Sequence, residues 1–305
     1  MKVMVTGGAG FIGSHIVDAM LAAGHDVCVV DDFSTGHREN VDPRARIYDV
    51  DIRDEAALEA VFEQEKPEVI SHQAAKANVR ESMVRPVLYA EVNILGSLNL
   101  LEATRRHEVR KIIYASTGGA VYGDLEYVPA DEAHPINPLD PYGASKHQVE
   151  HYLYIYGRHY GLDYTVLRYP NVYGPRQDPE GEAGVIAIWT GRMLKGRSTI
   201  VYGSGGQERD FVYVGDIARA NVMALDKGGG EIINLGSSIG TSINEVFDLL
   251  QRYTGYTQER THGPAKQGEV FRSFITHEKA ERLLGWLPTV SLSEGLERTV
   301  DYFRR

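Results

Sequence analysis

Short apolar runs alternate with amphipathic stretches through the first half of the chain. Lys2–Thr6, Asp26–Val30, Ile47–Asp49, Val69–His72 and Lys111–Ser116 have the length and residue types of strands. Between them Ile12–Ala23, Glu55–Gln64 and Val87–His107 repeat apolar positions at a helical period. Tyr142–Tyr160 adds a further helix, followed by a strand over Asp163–Arg168. Strands alternating with helices of this length predict βαβ units, and so an α/β fold with a doubly wound parallel sheet covered on both faces. Beyond residue 169 the texture changes. Residues 170–212 are rich in glycine and proline and predict loops built around a ligand. Helices are predicted at Asp216–Asp226, Ile243–Tyr253, Glu278–Leu284 and Glu294–Phe303, with a strand at Ile232–Leu235. No repeat, low-complexity tract or long linker separates the two parts, so they are expected to interleave.

Composition narrows the partners. The chain has 305 residues, 43% hydrophobic and 24% charged, with a net charge of −10. An acidic surface does not draw in nucleic acid or anionic lipid, so an anionic ligand needs a local basic pocket. The single cysteine, Cys28, excludes a disulfide framework and a cysteine-based zinc site. No apolar run approaches the roughly 18 residues of a membrane span. The start, Met1-Lys2-Val3-Met4-Val5, reaches glycine at position 7, too soon for a signal peptide's apolar region. A cytoplasmic protein is expected.

The first chemical motif is Thr6-Gly7-Gly8-Ala9-Gly10-Phe11-Ile12-Gly13, between the first strand and the first helix. Gly8, Gly10 and Gly13 fit a G-x-G-x-x-G spacing, in which bare backbone approaches a pyrophosphate at a helix N-terminus. Asp31 follows Gly10 by 21 residues, at the end of the second strand. A carboxylate there bonds the adenosine ribose of NAD and repels the extra phosphate of NADP, and Asp32 reinforces that choice.

Tyr142 and Lys146 stand at i and i+4 after a proline-rich loop, and therefore share a helix face. A free tyrosine, with a pKa of about 10, is a poor base at neutral pH. Lowering it by about 3 units takes roughly 4 kcal/mol, which one ammonium about 4 Å away supplies at an effective dielectric near 20. A phenolate base beside its ammonium partner is the expectation. His147-Gln148-Val149-Glu150-His151 on the same helix matches a zinc-protease pattern. At about 100° per residue, however, Tyr142, Lys146, Val149, Leu153, Tyr156 and Tyr160 form the inward stripe. His147 and His151 then point away from it, and no metal is expected.

With these residues in place, the sequence resembles the extended short-chain dehydrogenase/reductases, and within them the UDP-glucose 4-epimerase branch. The matching segments run nearly end to end: TGGAGFIG (6–13), VVDDFSTG (29–36), DIRD (51–54), HQAA (72–75), NILGS (93–97), ASTGGAVYG (115–123), PYGASK (141–146), LRYPNVYGPRQ (167–177) and RDFVYVGDIARA (209–220). The resemblance implies a Rossmann-type NAD-binding domain, residues 1–169 plus about 213–238, and a smaller interleaved α/β domain for the nucleotide sugar, about 170–212 and 239–305. It implies cofactor contacts from Gly7, Gly10, Phe11, Ile12, Asp31, Asp51, Ile52, Ala74, Ala75, Asn93, Tyr142, Lys146 and Tyr169. Tyr142 becomes the base and Lys146 its partner, while Asn171, Arg209, Lys266, Glu269 and Ser273 face the sugar nucleotide together with Thr117 and Tyr142.

One position departs from the family. The usual Ser or Thr three residues before the Val of V-Y-G is Gly118 here, which assigns the catalytic hydroxyl to Thr117, with Ser116 in reserve. Lys76 likewise sits one place before the family's lysine, whose slot holds Ala77. Related dehydratases and decarboxylases carry acids where this chain has Gly118 and Gly119, so those chemistries drop out. The resemblance implies NAD-dependent C4 epimerisation of a UDP-hexose, an isomerase reaction through a 4-keto sugar. UDP-glucuronate 4-epimerisation, another nucleotide-sugar modification and a non-catalytic NAD-binding module are the alternatives. Ser273, where a bulky tyrosine excludes N-acetyl groups, implies tolerance of UDP-N-acetylglucosamine. The helices at 87–107 and 142–160 resemble those of the family's homodimer contact, with Tyr152, Ile155 and His159 as candidates.

Overall fold

The computed structural model describes residues 1–179, 184–265 and 270–305. Its first half runs β1 (Lys2–Thr6), α1 (Phe11–Ala22), β2 (Asp26–Asp31), β3 (Arg46–Asp49), α2 (Glu55–Glu65), β4 (Val69–His72), α3 (Val79–Val84), α4 (Pro86–Tyr89), α5 (Gly96–Arg106), β5 (Lys111–Thr117), α6 (Pro141–Tyr160) and β6 (Asp163–Tyr169). The second half runs β7 (Asn171–Tyr173), α7 (Val185–Leu194), β8 (Ile200–Tyr202), β9 (Glu208–Arg209), β10 (Phe211–Tyr213), α8 (Val214–Met223), β11 (Glu231–Asn234), β12 (Thr241–Ser242), α9 (Ile243–Thr254), β13 (Thr261–Gly263), β14 (Arg272–Ser273), α10 (Glu278–Leu284) and α11 (Leu292–Phe303).

Seven strands form one parallel sheet in the order β11-β6-β5-β4-β1-β2-β3. Both faces are covered, which is why its strands read as continuous apolar runs rather than as alternation. Val3 and Val5 of β1 face Ile16 and Met20 of α1 and Ile217 of α8, while Met4 faces Leu58 of α2, Leu100 of α5 and Leu153 of α6. A separate core joins Trp189 of α7, Phe247 of α9 and Leu296 of α11. The strand order reverses between β1 and β4. In such sheets a crevice opens there, at the carboxyl ends of the strands. Among the described residues, no helix is long and apolar enough to cross a membrane.

Three expectations need correction. The predicted helix 87–107 is interrupted: residues 90–95 form a π turn between α4 and α5. That wider turn buries Asn93, whose amide clamps both backbone groups of Lys76 at 2.8 and 3.0 Å. Residues 170–212 are not simply loops, since VIAIWTGRML builds α7 with Ile186, Trp189 and Met193 buried. Glycines and prolines on either side masked that short apolar pattern. Tyr160, assigned to the inward stripe, is exposed at the last position of α6, with the Arg105 guanidinium over its ring.

Candidate active site

The glycine loop lies at the switch point of the sheet. Gly7 adopts φ 67°, and a Cβ on it would fall 2.7 Å from the Ala74 nitrogen. A Cβ on Gly13 would fall 2.0 Å from the Gly7 carbonyl oxygen, so only glycine lets α1 begin this close to β1. Asp31 ends β2, where its carboxylate accepts hydrogen bonds from Ala9 N and Phe33 N at 2.9 Å each. These bonds fix the acid against the loop, while burial raises its pKa.

A cleft of about 280 Å³ runs from the adenine end predicted at Asp51 and Ile52 to Tyr142 and Lys146. Every predicted cofactor residue except Asn93 lines it. Asn93 stands behind the wall and donates to Ser145 Oγ at 2.9 Å, which steadies the turn of α6 that carries Tyr142 and Lys146. Tyr169 lines the cleft with its ring, its hydroxyl held between Gln73 (3.2 Å) and Asn221 (2.9 Å).

Helix α6 starts where local chemistry directs it. Asp140 caps it by accepting from Gly143 N at 2.7 Å, Pro141 occupies its first turn, and Gly161 in the left-handed region ends it. This places Tyr142 beside the end of β5, near Thr117, whose hydroxyl favours the phenolate. Ser116 also lines the cleft, but its hydroxyl donates to Glu150 Oε1 at 2.6 Å. Glu150 is buried and takes a two-point bond from Arg168 at 2.8 and 2.6 Å. The same carboxylate meets His147 Nδ1 at 3.0 Å, so the histidine-glutamate pattern on α6 serves an ion pair.

The expected electrostatic balance is reversed for the chain's own groups. Burial pushes the Tyr142 phenol up to about 12, against a smaller opposing effect of the nearby Thr117 hydroxyl. Burial also pushes Lys146 down to about 7, with the Glu150 charge working against it. The Lys146 ammonium lies 4.4 Å from the centre of the Tyr114 ring. Desolvation outweighs the tyrosine–lysine attraction that helical spacing alone suggests.

A second cleft, about 160 Å³, is lined by Asn171 and Arg209 together with Gln177, Val185, Phe211 and Ile243. Ser273 lies on β14, paired alongside Arg209 of β9. Lys266 and Glu269 lie outside the described residues.

The model of the NAD dependent epimerase/dehydratase family matches residues 3–236. The chain belongs to this family. Its fold superposes on the UDP-glucose 4-epimerase of Thermotoga maritima solved with UDP-glucose, with TM-score 0.98, 48% identity, and 100% and 99% of the two chains covered. The Thermus thermophilus UDP-glucose 4-epimerase in complex with NAD gives TM-score 0.95 at 47% identity over 100% and 99%. The UDP-glucose 4-epimerase of Mycolicibacterium smegmatis is 42% identical over 310 residues, covering 100% and 99%.

NAD is the cofactor of this epimerase/dehydratase family. The residues present fit it: the bare backbone of Gly7 and Gly10 opens onto the cleft, and Asp31 is fixed at its side. The cleft also includes Ser34, Thr35, Gln73 and Lys76, which the sequence reading left without a role. Ser34 and Thr35 follow the acidic pair directly in DDFSTG, and that adjacency was the available signal. Lys76 Nζ donates to Ser34 Oγ at 3.1 Å, which draws the 73–77 loop towards the loop after β2.

Proposed function

We propose that this protein is an isomerase that inverts C4 of a UDP-hexose, interconverting UDP-glucose and UDP-galactose. The observation that carries the proposal is the placement of Tyr142 and Lys146 in the dinucleotide cleft, with Thr117 near the phenol and glycines at 118 and 119. Positions 118 and 119 therefore supply no acid for elimination or decarboxylation, and Tyr142 is the proton-transfer group of this reading. NAD, when bound, supplies reversible hydride acceptance and a positive ring that favours a nearby phenolate. Tyr142 Oη takes the proton of the 4-hydroxyl and later returns it to the same oxygen. Thr117 hydrogen-bonds that oxygen while the sugar is a ketone. Lys146 contributes positive charge and a hold on the nicotinamide ribose. Asn171 and Arg209, with Ser273 nearby, would hold the sugar nucleotide in the second cleft, where Arg209 offsets the diphosphate charge.

This reading gives residues 1–169 and about 213–238 to NAD, and the remainder to the substrate. It includes a cytoplasmic location and a homodimer. Exposed Met83, Val84, Val87 and Leu95, on elements that pack beside α6, support an apolar partner surface there.

The test is an NMR assay of the purified protein with UDP-glucose, UDP-N-acetylglucosamine and UDP-glucuronate. Formation of UDP-galactose with no net NADH is expected. Turnover of UDP-glucuronate alone would reassign the substrate, and bound NAD without turnover would leave a binding module.

A further inference from the structure

Asp210 separates β9 from β10 and is 1% exposed. Its carboxylate accepts from Ser237 Oγ at 2.5 Å, from Ser237 N at 3.0 and 3.1 Å, and from Ile275 N at 3.2 Å. Its backbone is equally engaged. The carbonyl accepts from Asn171 N at 3.0 Å and Asn171 Nδ2 at 3.1 Å, while the N–H donates to the Ser273 carbonyl at 3.0 Å. The preceding residue is Arg209, which lines the second cleft with Asn171. One residue thus ties together the backbone of three residues assigned above to the nucleotide sugar, and the loops at 237 and 275.

All these bonds come from neutral donors, and burial pushes the Asp210 carboxyl up to about 7. A buried charge without a counter-charge is an unfavourable way to join loops. The donor count accounts for it. Ser237 reaches one carboxylate oxygen through Oγ and N and the other through N, and the second also takes Ile275 N; an asparagine would turn its N–H2 towards one of these backbone N–H groups. Ile275 in turn packs over Gly118, next to Thr117.

We infer that Asp210 is a positioning residue for substrate, fixing Asn171, Arg209 and Ser273 in one arrangement by anchoring the 237 and 275 loops to the strand that carries Arg209. This rests on the proposed function, because it takes the second cleft to be the nucleotide-sugar site. Asp210→Asn keeps the shape and removes one acceptor; Ser237→Ala removes the shortest bond and leaves the acid.

The experiment measures KM for UDP-glucose, kcat, NAD affinity and melting temperature for both variants, with UDP binding by calorimetry. Asp210→Asn is expected to raise KM and weaken UDP roughly tenfold, with kcat and NAD affinity held within about threefold. Ser237→Ala should move KM the same way by a smaller factor. Unchanged KM and UDP affinity in the variants, or a parallel loss of NAD affinity, would overturn the inference. If Asp210→Asn does not fold, Ser237→Ala decides alone. A wild-type protein that binds UDP without turnover would unseat the epimerase reading, while weaker UDP binding by the variants would still support positioning. A wild-type protein that binds no UDP would overturn both.

Discussion

Ile275 occupies the space above Gly118: a Cβ built on the glycine would lie 2.3 Å from Ile275 Cδ1. The departure from the family's hydroxyl residue at 118 therefore has a steric counterpart. A hydroxyl next to Tyr142 comes instead from Thr117, while the proton of Ser116 is engaged with Glu150. Thr117→Ala should lower kcat by roughly 10²-fold, the lower range for such assistance, with NAD affinity unchanged. Ser116→Ala should leave kcat within severalfold but lower stability by about 1–3 kcal/mol, because a buried carboxylate loses a donor. Gly118→Ser should lower the melting temperature and not rescue Thr117→Ala. Steady-state kinetics and thermal melts on the three variants check this, and a reversed order between Thr117 and Ser116 would exchange their roles.

Tyr142 and Lys146 predict a conflict between stability and activity. Lys146, pushed down to about 7, binds fewer protons folded than unfolded between that value and its ordinary 10.5. Stability should accordingly rise with pH across this window. Lys146→Met should be more stable than wild type at pH 7 and lose that rise, yet have little turnover. Tyr142→Phe should lose roughly 10²–10⁴-fold in kcat. Denaturant unfolding between pH 7 and 10 checks the first outcome, and product formation checks the second. A fully active Tyr142→Phe protein would end the mechanism.

Much of this site was legible in the chain because its signals are local. TGGAGFIG sits between strand and helix, Asp31 ends the next strand, and Tyr142 and Lys146 share one helix turn. The unread parts depend on distant partners. Nothing near Asn93 announces that residues 90–95 widen to bury it against Lys76 and Ser145. The reversal of the Tyr142 and Lys146 pKa shifts comes from desolvation by the whole fold, which helical spacing does not encode. Asp210 reads as an ordinary surface acid until Ser237 and Ile275 converge on it.

The Glu150–Arg168 pair gives an acid-stability prediction. Hydrogen bonds from Arg168, His147 and Ser116 outweigh burial and hold Glu150 down at about 2. A carboxyl depressed in the folded state stabilises above its unfolded pKa and loses that contribution as pH falls towards the folded value. The window is about pH 4.5 to 2, and the contribution is on the order of 3 kcal/mol. Glu150→Gln should flatten the acid limb of stability against pH relative to wild type. At pH 7 it should cost about 3–5 kcal/mol, since Arg168 is left charged and buried. Denaturant melts of both proteins at several pH values measure it, and parallel acid limbs would show that the pair does not set this dependence.

Ser273 offers the sharpest probe of substrate breadth. It lies beside Arg209 on β14, and its carbonyl is tied to Asp210 N at 3.0 Å, so its backbone is fixed whatever side chain it carries. On the proposed reading a small side chain here admits an N-acetyl group, whereas a phenol would exclude it. Ser273→Tyr should consequently retain UDP-glucose turnover within about threefold and lower kcat/KM for UDP-N-acetylglucosamine by roughly 10-fold or more, the scale of a steric difference of a few heavy atoms. Parallel assays of wild type and variant on the two substrates decide the matter. If wild type already rejects the N-acetylated sugar, another side chain limits the pocket. Equal losses on both sugars would instead mean that tyrosine disturbs the Arg209 strand rather than selecting between substrates.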